Sequence, residues 1–271
     1  MKSILLHMND DGGMESRLQV ALDLARAFDG HITCLQSVSF DVFAPGDFYG
    51  SAIAAAMPVI KEAAEEFRAK TEEDLDNEDA SWEWLFRYGM AEQRLLEQSA
   101  INDVIVVGAR DIDDDVDRPS HLVGELAMRS RTPVLVVPDA AQKFDCSAPA
   151  LIAWNGSTEA GIAMRAALPL LCKASKVYIA TVTEESDRQR YDLPPTDGAE
   201  YLSRHGIDCE VVEVARGEAP VADTLFSAAQ MRHCGYVVMG AYGHSRLAEM
   251  LLGGVTRRAL SSPPLPILLA H

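Results

Sequence analysis

The same order of apolar runs and amphipathic stretches is written twice along the 271 residues. Lys2 to Asn9 is an apolar run closed by Asn, and Ala150 to Asn155 is another. Apolar spacing predicts a helix after the first, over about residues 14–28, with Leu18, Ala21, Leu22 and Ala25 on one face. It predicts another after the second, over about residues 159–172, with Ala163, Ala167, Leu168 and Leu171. Strands then follow at His31–Val38 and Lys176–Val182. Later, helices over about 91–99 and 220–232 lead into the apolar runs Asp103–Gly108 and Gly235–Gly240. Each half closes with a helix and a Pro-led strand, Thr132–Pro138 and Leu265–Ala270. Gly108 to Pro133 spans 25 positions and Gly240 to Pro266 spans 26. A duplicated unit of about 130 residues explains this order better than one continuous sheet would.

The halves diverge in their middles. The first carries a segment rich in Phe, Gly and Ala, Ser39 to Met57, then a helix over about 59–75 and a strand near 82–87. The second carries a shorter polar loop, Thr183 to Thr196, a helix over about 197–205 and a strand over 208–214. Asp139 to Pro149, polar and bearing Ala and Pro, reads as the linker. Strands that alternate with helices and are apolar throughout form parallel sheets covered on both faces. The short Pro-led final strands suit sheet edges.

Composition narrows the function. Hydrophobic residues make up 48%, enough for a packed core, and no run of 18 apolar residues exists to span a membrane. The apolar start is too short for a signal peptide and reads as a first strand. Five scattered cysteines without a Cys-x-x-Cys pair fit reduced thiols and a cytoplasmic location. A net charge of −17 argues against a nucleic-acid binder and against docking on an anionic membrane. An anionic ligand then needs local help from backbone N–H groups, a few basic side chains or Mg²⁺.

Such help is available in the second half. The buried run ending at Gly240 is broken again at Gly243, and the pair Gly253-Gly254 precedes Val255, Thr256 and a short helical segment, Arg257 to Ser261. Glycines before a helix let the backbone approach a bulky ligand and leave N–H groups pointing outward at the positive end of the helix dipole. That is the physics of a phosphate cradle. The spacing is neither that of a P-loop nor the dinucleotide fingerprint.

Gly240, Gly243 and Gly253, with Gly-His-Ser-Arg-Leu and Leu-Leu-Gly-Gly-Val-Thr around them, resemble the Gly-x2-Gly-x9-Gly-Ser/Thr signature of the universal stress protein family. Gly254 stands where the family has a hydroxyl residue. The resemblance implies two tandem open five-stranded parallel-sheet α/β domains of the adenine nucleotide alpha hydrolase-like kind. They would be related by a pseudo-twofold, with the final strands of the two units pairing. It divides the chain into a degenerate domain, 1–138, without a cradle, and a competent one, 150–271. It implies ATP or AMP as the ligand, with or without Mg²⁺, held in the crevice where strand order reverses. Gly240, Gly243, Gly253, Gly254 and Val255 would supply backbone, Thr256 a hydroxyl, and His244 side-chain contact to phosphate. Val182 matches the position whose backbone meets the adenine edge. Asn155 stands where the family usually has Asp, and either contacts the ribose or caps the next helix. The adenine nucleotide is the expected partner, and a homodimer of tandem chains is compatible with the resemblance.

The first half has lost the cradle. Asp111 replaces the second glycine, His121 and Leu122 align with Gly253 and Gly254, and Asp111 to Asp117 puts negative charge where phosphates would lie. That run lacks the Gly and the Glu of a calcium loop. The first half is expected to bind no nucleotide, serving as a structural partner or as a site for an uncharged ligand. His7 and His121 are expected near its upper rim. No His-Glu-x-x-His and no Gly-x-Ser-x-Gly occurs. The readings are therefore a nucleotide-binding stress sensor or regulator, a scaffold of the same fold that binds no nucleotide, and a weak ATPase acting by positioning alone.

Overall fold

The computed structural model of the protein describes residues 1–39, 49–110, 120–183, 193–241 and 254–271. The first half runs β1 (Ser3–Met8), α1 (Met14–Phe28), β2 (His31–Val38), α2 (Tyr49–Asp76), β3 (Ser81–Tyr88), α3 (Ala91–Ser99), β4 (Val104–Gly108), α4 (His121–Arg129) and β5 (Val134–Val137). The second runs β6 (Ala150–Ala153), α5 (Thr158–Ala166), α6 (Leu168–Leu171), β7 (Val177–Thr183), α7 (Pro195–Arg204), β8 (Cys209–Ala215), α8 (Val221–Met231), β9 (Tyr236–Gly240), α9 (Gly254–Ser261) and β10 (Ile267–Ala270).

The strands of the described residues join one sheet in the order β3-β2-β1-β4-β5-β10-β9-β6-β7-β8. Pairing is parallel within each half. Each half starts mid-sheet, builds outward on one side, then crosses back to the other side of its first strand. The crossover leaves a crevice at the carboxyl ends of β1 and β4, and a second one at β6 and β9. The two five-stranded units meet through β5 and β10, which pair antiparallel with Leu135 opposite Leu268. Antiparallel pairing of equivalent strands is what a pseudo-twofold requires. The Pro-led strands are edges of their own units, as expected, but the two edges satisfy each other. The outer edges of the whole sheet are β3 and β8. Pro133 and Pro266 stand just before the ladder, where their carbonyls accept from Ile105 N and Val237 N, each at 3.0 Å.

Alternation along the strands divides the core between two faces. Ile4, Leu6 and Met8 face α1, α2, α5, α6 and α7; Leu5 faces α3, α4, α8 and α9. Both cores run through the junction, with Leu135 and Leu268 in one, and Val134, Val136, Ile267 and Leu269 in the other. At about 1.5–3 kcal/mol per fully buried aliphatic side chain, these residues bind the halves as one body. The stretch read as a linker is part of that body. Phe144 and Cys146 are buried, the Phe144 ring lies 5.4 Å from that of Tyr236, and Phe144 N donates to Asp23 Oδ2 at 2.8 Å.

Three element boundaries differ from expectation. α2 starts at Tyr49, so the helix reaches back into the Ala-rich segment and runs through Pro58; Ala is the strongest helix former. The helix expected over 159–172 breaks at Ala167 into α5 and α6, because Pro169 has no N–H to continue the ladder. α9 begins at Gly254 and not at Arg257, which puts the glycine in the helix's first turn.

Candidate functional site

In the second half the crevice lies between β6 and β9, where Ala153 is opposite Met239. The chain leaves β6 through Trp154, Asn155, Gly156 and Ser157 and turns into α5. Gly156 has φ +76°, which L side chains rarely adopt. The Asn155 carboxamide oxygen accepts from Ser157 N at 3.1 Å, and the Ser157 hydroxyl accepts from Ala160 N at 3.2 Å. Asn155 therefore fixes the turn and Ser157 caps the helix. Buried Trp154 donates from Nε1 to the Leu193 carbonyl at 3.0 Å, and Leu193 N donates to the Gly156 carbonyl at 3.0 Å. These two bonds tie the start of the α7 segment to the crevice. In the sequence their only signal is a Trp beside a turn.

Gly240 closes β9. A Cβ there would lie 2.5 Å from the Glu159 carbonyl carbon and 2.6 Å from Ala160 N. The strand end thus rests directly on the first turn of α5, an approach only glycine allows. Val182, half-buried in β7 opposite Val214, stands next along the same rim. α9 joins β9 to the parallel strand β10, so its N-terminus lies at the carboxyl ends of the strands. A helix starting at Gly254 leaves its first N–H groups without intrahelical acceptors. Gly254 is exposed, a Cβ there would meet nothing within 4 Å, Val255 is exposed and Thr256 is buried. Asn155, Val182 and Gly240 thus share one rim, and Gly254, Val255 and Thr256 open the helix at the same end of the sheet. Gly243, His244 and Gly253 lie outside the described residues, as do Ser245 and Arg246. Arg258 pairs with Asp223 at 3.1 Å on the surface.

The first-half crevice is built differently. Arg17 is the fourth residue of α1, and the fourth residue of α5 is Gly161. Arg17 is 2% exposed. Its Nη1 and Nη2 donate to the two Asp11 carboxylate oxygens at 2.8 and 2.9 Å, and Nε and Nη2 reach the His7 and Asn9 carbonyls at 3.3 and 3.1 Å. Its guanidinium lies where a Cβ on Gly108 would come, 2.8 Å from Nη1. Burial works against ionisation of Asp11, but bonds from Arg17, Gly13 N and Asn9 outweigh it and hold the carboxyl below its usual range. Burial, helped by the Arg17 charge, pushes His7 down to about 3.

A cavity of about 350 Å³ remains beside this pair, bordered by His7, Ser37, Gly108, Arg110 and His121. His7 and His121 thus share one rim. That pair is legible in the sequence; Arg17 and Asp11 are not. The signal was an arginine beside the apolar face of Leu18, Ala21 and Leu22, six residues after an aspartate. The acidic run Asp111 to Asp117 lies outside the described residues.

Among the described residues no three His, Cys, Asp or Glu side chains are grouped to hold a metal ion, and no helix is long and apolar enough to cross a membrane. The cysteines are unpaired, and burial pushes Cys34 up to about 12 and Cys146 and Cys234 up to about 11.

The fold and its two crevices define a tandem α/β protein of the open parallel-sheet class. A profile described as the Universal stress protein family matches residues 149–271. That segment is similar to the universal stress protein family. Solved structures extend the likeness in fold to the first half. A universal stress protein from Archaeoglobus fulgidus DSM 4304 is 17% identical with a TM-score of 0.69, covering 99% of this chain and 97% of that one. A protein described as functionally unknown from Pseudomonas aeruginosa PAO1 is 17% identical with a TM-score of 0.57, covering 100% and 92%. A putative universal stress protein from Pseudomonas aeruginosa UCBPP-PA14 is 16% identical with a TM-score of 0.56, covering 100% and 93%. No curated protein matches the chain by sequence.

Proposed function

We propose that the second half binds an adenine nucleotide, ATP or AMP, in the β6–β9 crevice, and that the chain works as a stress-response sensor or regulator. The observation that carries this reading is the convergence of an open helix N-terminus at Gly254 with the crevice at Gly240 and Asn155. The glycine pattern between them fits a backbone cradle for phosphates. In this reading Val182 offers its backbone to the adenine edge. In a chain of net charge −17, backbone N–H groups and Mg²⁺ are the natural counterweights to a phosphate. The first half is read as a degenerate domain over 1–138 without a cradle, and the second as the competent domain over 150–271.

A scaffold role without nucleotide is the second reading. It is favoured by Asn155, whose carboxamide oxygen is engaged by Ser157 N, and by the lack of a hydroxyl at Gly254. Small molecules released from protein purified without added nucleotide, identified by mass spectrometry, separate the two, followed by calorimetric titration with ATP and Mg²⁺. One adenine nucleotide per chain, lost in Gly243→Asp, supports the sensor; no nucleotide and no heat support the scaffold.

A further inference from the structure

We propose that the first-half crevice is a binding site for a small uncharged molecule, read by hydrogen bonds to His7 and Ser37, and that the internal Arg17–Asp11 pair bars anionic ligands from it. This concerns a different crevice from the nucleotide reading and stands or falls separately.

The crevice is built and partly empty. About 350 Å³ lies open between the ends of β1, β2 and β4 and the first turns of α3 and α4. That volume is at the small end of small-molecule sites. His7 is 8% exposed, and its ring makes no hydrogen bond among the described residues. Ser37 borders the same space, and its hydroxyl is buried without a partner among the described residues. Buried polar groups are normally hydrogen-bonded, and each left unpaired costs about 1–3 kcal/mol. The Ser37 hydroxyl is such a group, and the His7 ring borders the same cavity; together they offer what a ligand's donor and acceptor would satisfy.

The charge arrangement sets the ligand class. The place a phosphate would take at the start of α1 is already held by carboxylates. Asp11 Oδ1 accepts from Gly13 N at 2.9 Å, and Asp139 Oδ1 lies where a Cβ on Gly13 would come within 2.7 Å. The Asp139 carbonyl also accepts from Ser16 Oγ at 2.6 Å. Arg17 spends four of its five N–H donors on Asp11 and two backbone carbonyls, and its charge is already matched by the Asp11 carboxylate. The other arginine at the rim, Arg110, lies 3.7 Å from Asp139. His7 is neutral at physiological pH and offers one donor and one acceptor but no charge. Among the described residues an anion entering here would face fixed carboxylates and arginines already paired with carboxylates, whereas a neutral polar molecule meets the unpartnered Ser37 hydroxyl and the neutral His7 ring.

The test uses pairs of probes that differ in charge: adenosine and AMP, nicotinamide and nicotinate, uracil and orotate. Each is titrated into the full chain while the histidine ring signals are followed by NMR, with the His7 signal assigned by its loss in His7→Gln. The expected result is that at least one neutral probe moves the His7 signal and that its anionic partner binds there at least about tenfold more weakly. Ser37→Ala should weaken the neutral probe while leaving the His7 signal of the free protein in place, which shows that the fold is intact. The proposal is overturned if no probe moves the His7 signal, or if the anions move it as readily as their neutral partners.

Discussion

The Arg17 guanidinium grips the Asp11 carboxylate through two bonds, at 2.8 and 2.9 Å, inside the first-half crevice. The same position of the second repeat is Gly161, beside open space. One repeat therefore holds a buried ion pair in its crevice, and the other has no side chain at the same helix position. Removing one partner of a buried pair leaves the other charge stranded, so Asp11→Ala should lower stability by about 3 kcal/mol. The double variant Arg17→Met with Asp11→Ala should lose less than the single one, because no orphan charge remains. Urea unfolding of the two variants checks this, and a double variant worse than Asp11→Ala would mean that the arginine stem, and not its charge, is what the site needs.

His7 provides a pH signature. Its folded value of about 3 lies below its ordinary 6.5. The unfolded chain therefore takes the proton first as pH falls. The contribution is complete above 6.5 and is lost as pH drops towards 3. Between roughly pH 7 and pH 4 the loss should come to about 3 kcal/mol. A His7→Gln variant has no ring proton to gain and should show a flatter stability profile over that window. Asp11, held low by Arg17, also loses stability in acid, but in both proteins, so the difference between their profiles isolates His7. Parallel profiles would show that His7 is not buried as neutral imidazole.

Two glycines at one helix should respond in opposite ways. Gly240→Ala drives a Cβ into backbone at 2.5 and 2.6 Å, where nothing flexible can yield. It should cost about 3 kcal/mol or more and disturb the strand–helix contact. Gly161→Ala meets nothing within 4 Å inside α5, so it should gain roughly 0.5–1 kcal/mol from helix propensity. Thermal unfolding of the two variants checks both signs.

The duplicated order of elements was legible because buried parallel strands are short apolar runs, and the repeat sets them at nearly equal spacing. Gly240 was legible as a glycine with a purpose, although its packing role against Glu159 and Ala160 was not; contacts between strand ends and helix starts leave no periodic trace. The Arg17–Asp11 pair escaped for a similar reason. Alone, an arginine beside an apolar face reads as a side chain that snorkels to solvent, and only the three-dimensional turn after β1 shows that Asp11 folds back to meet it. Phe144 and Cys146 were hidden by the polar residues around them, which made a packed strap look like a linker.

Gly254 offers the most direct test of the second-half reading. Its position at the first turn of α9 has room for a side chain, since a Cβ meets nothing within 4 Å. Substitution there should alter the ligand's surroundings without altering the fold. Gly254→Ser supplies the hydroxyl that the family pattern carries and adds a donor beside the helix N-terminus. A hydrogen bond to a charged group is worth about 1.5–3 kcal/mol, so ATP should bind roughly tenfold tighter or better. Gly254→Asp places a carboxylate at the same spot and should weaken ATP by about tenfold or more through like-charge repulsion, with the effect shrinking as salt is raised. Titration calorimetry reads the affinities, and unfolding midpoints close to the parent's confirm that the fold is unchanged. Equal ATP affinity in the parent and both variants would remove the α9 N-terminus from the ligand's contacts and, with it, the phosphate cradle.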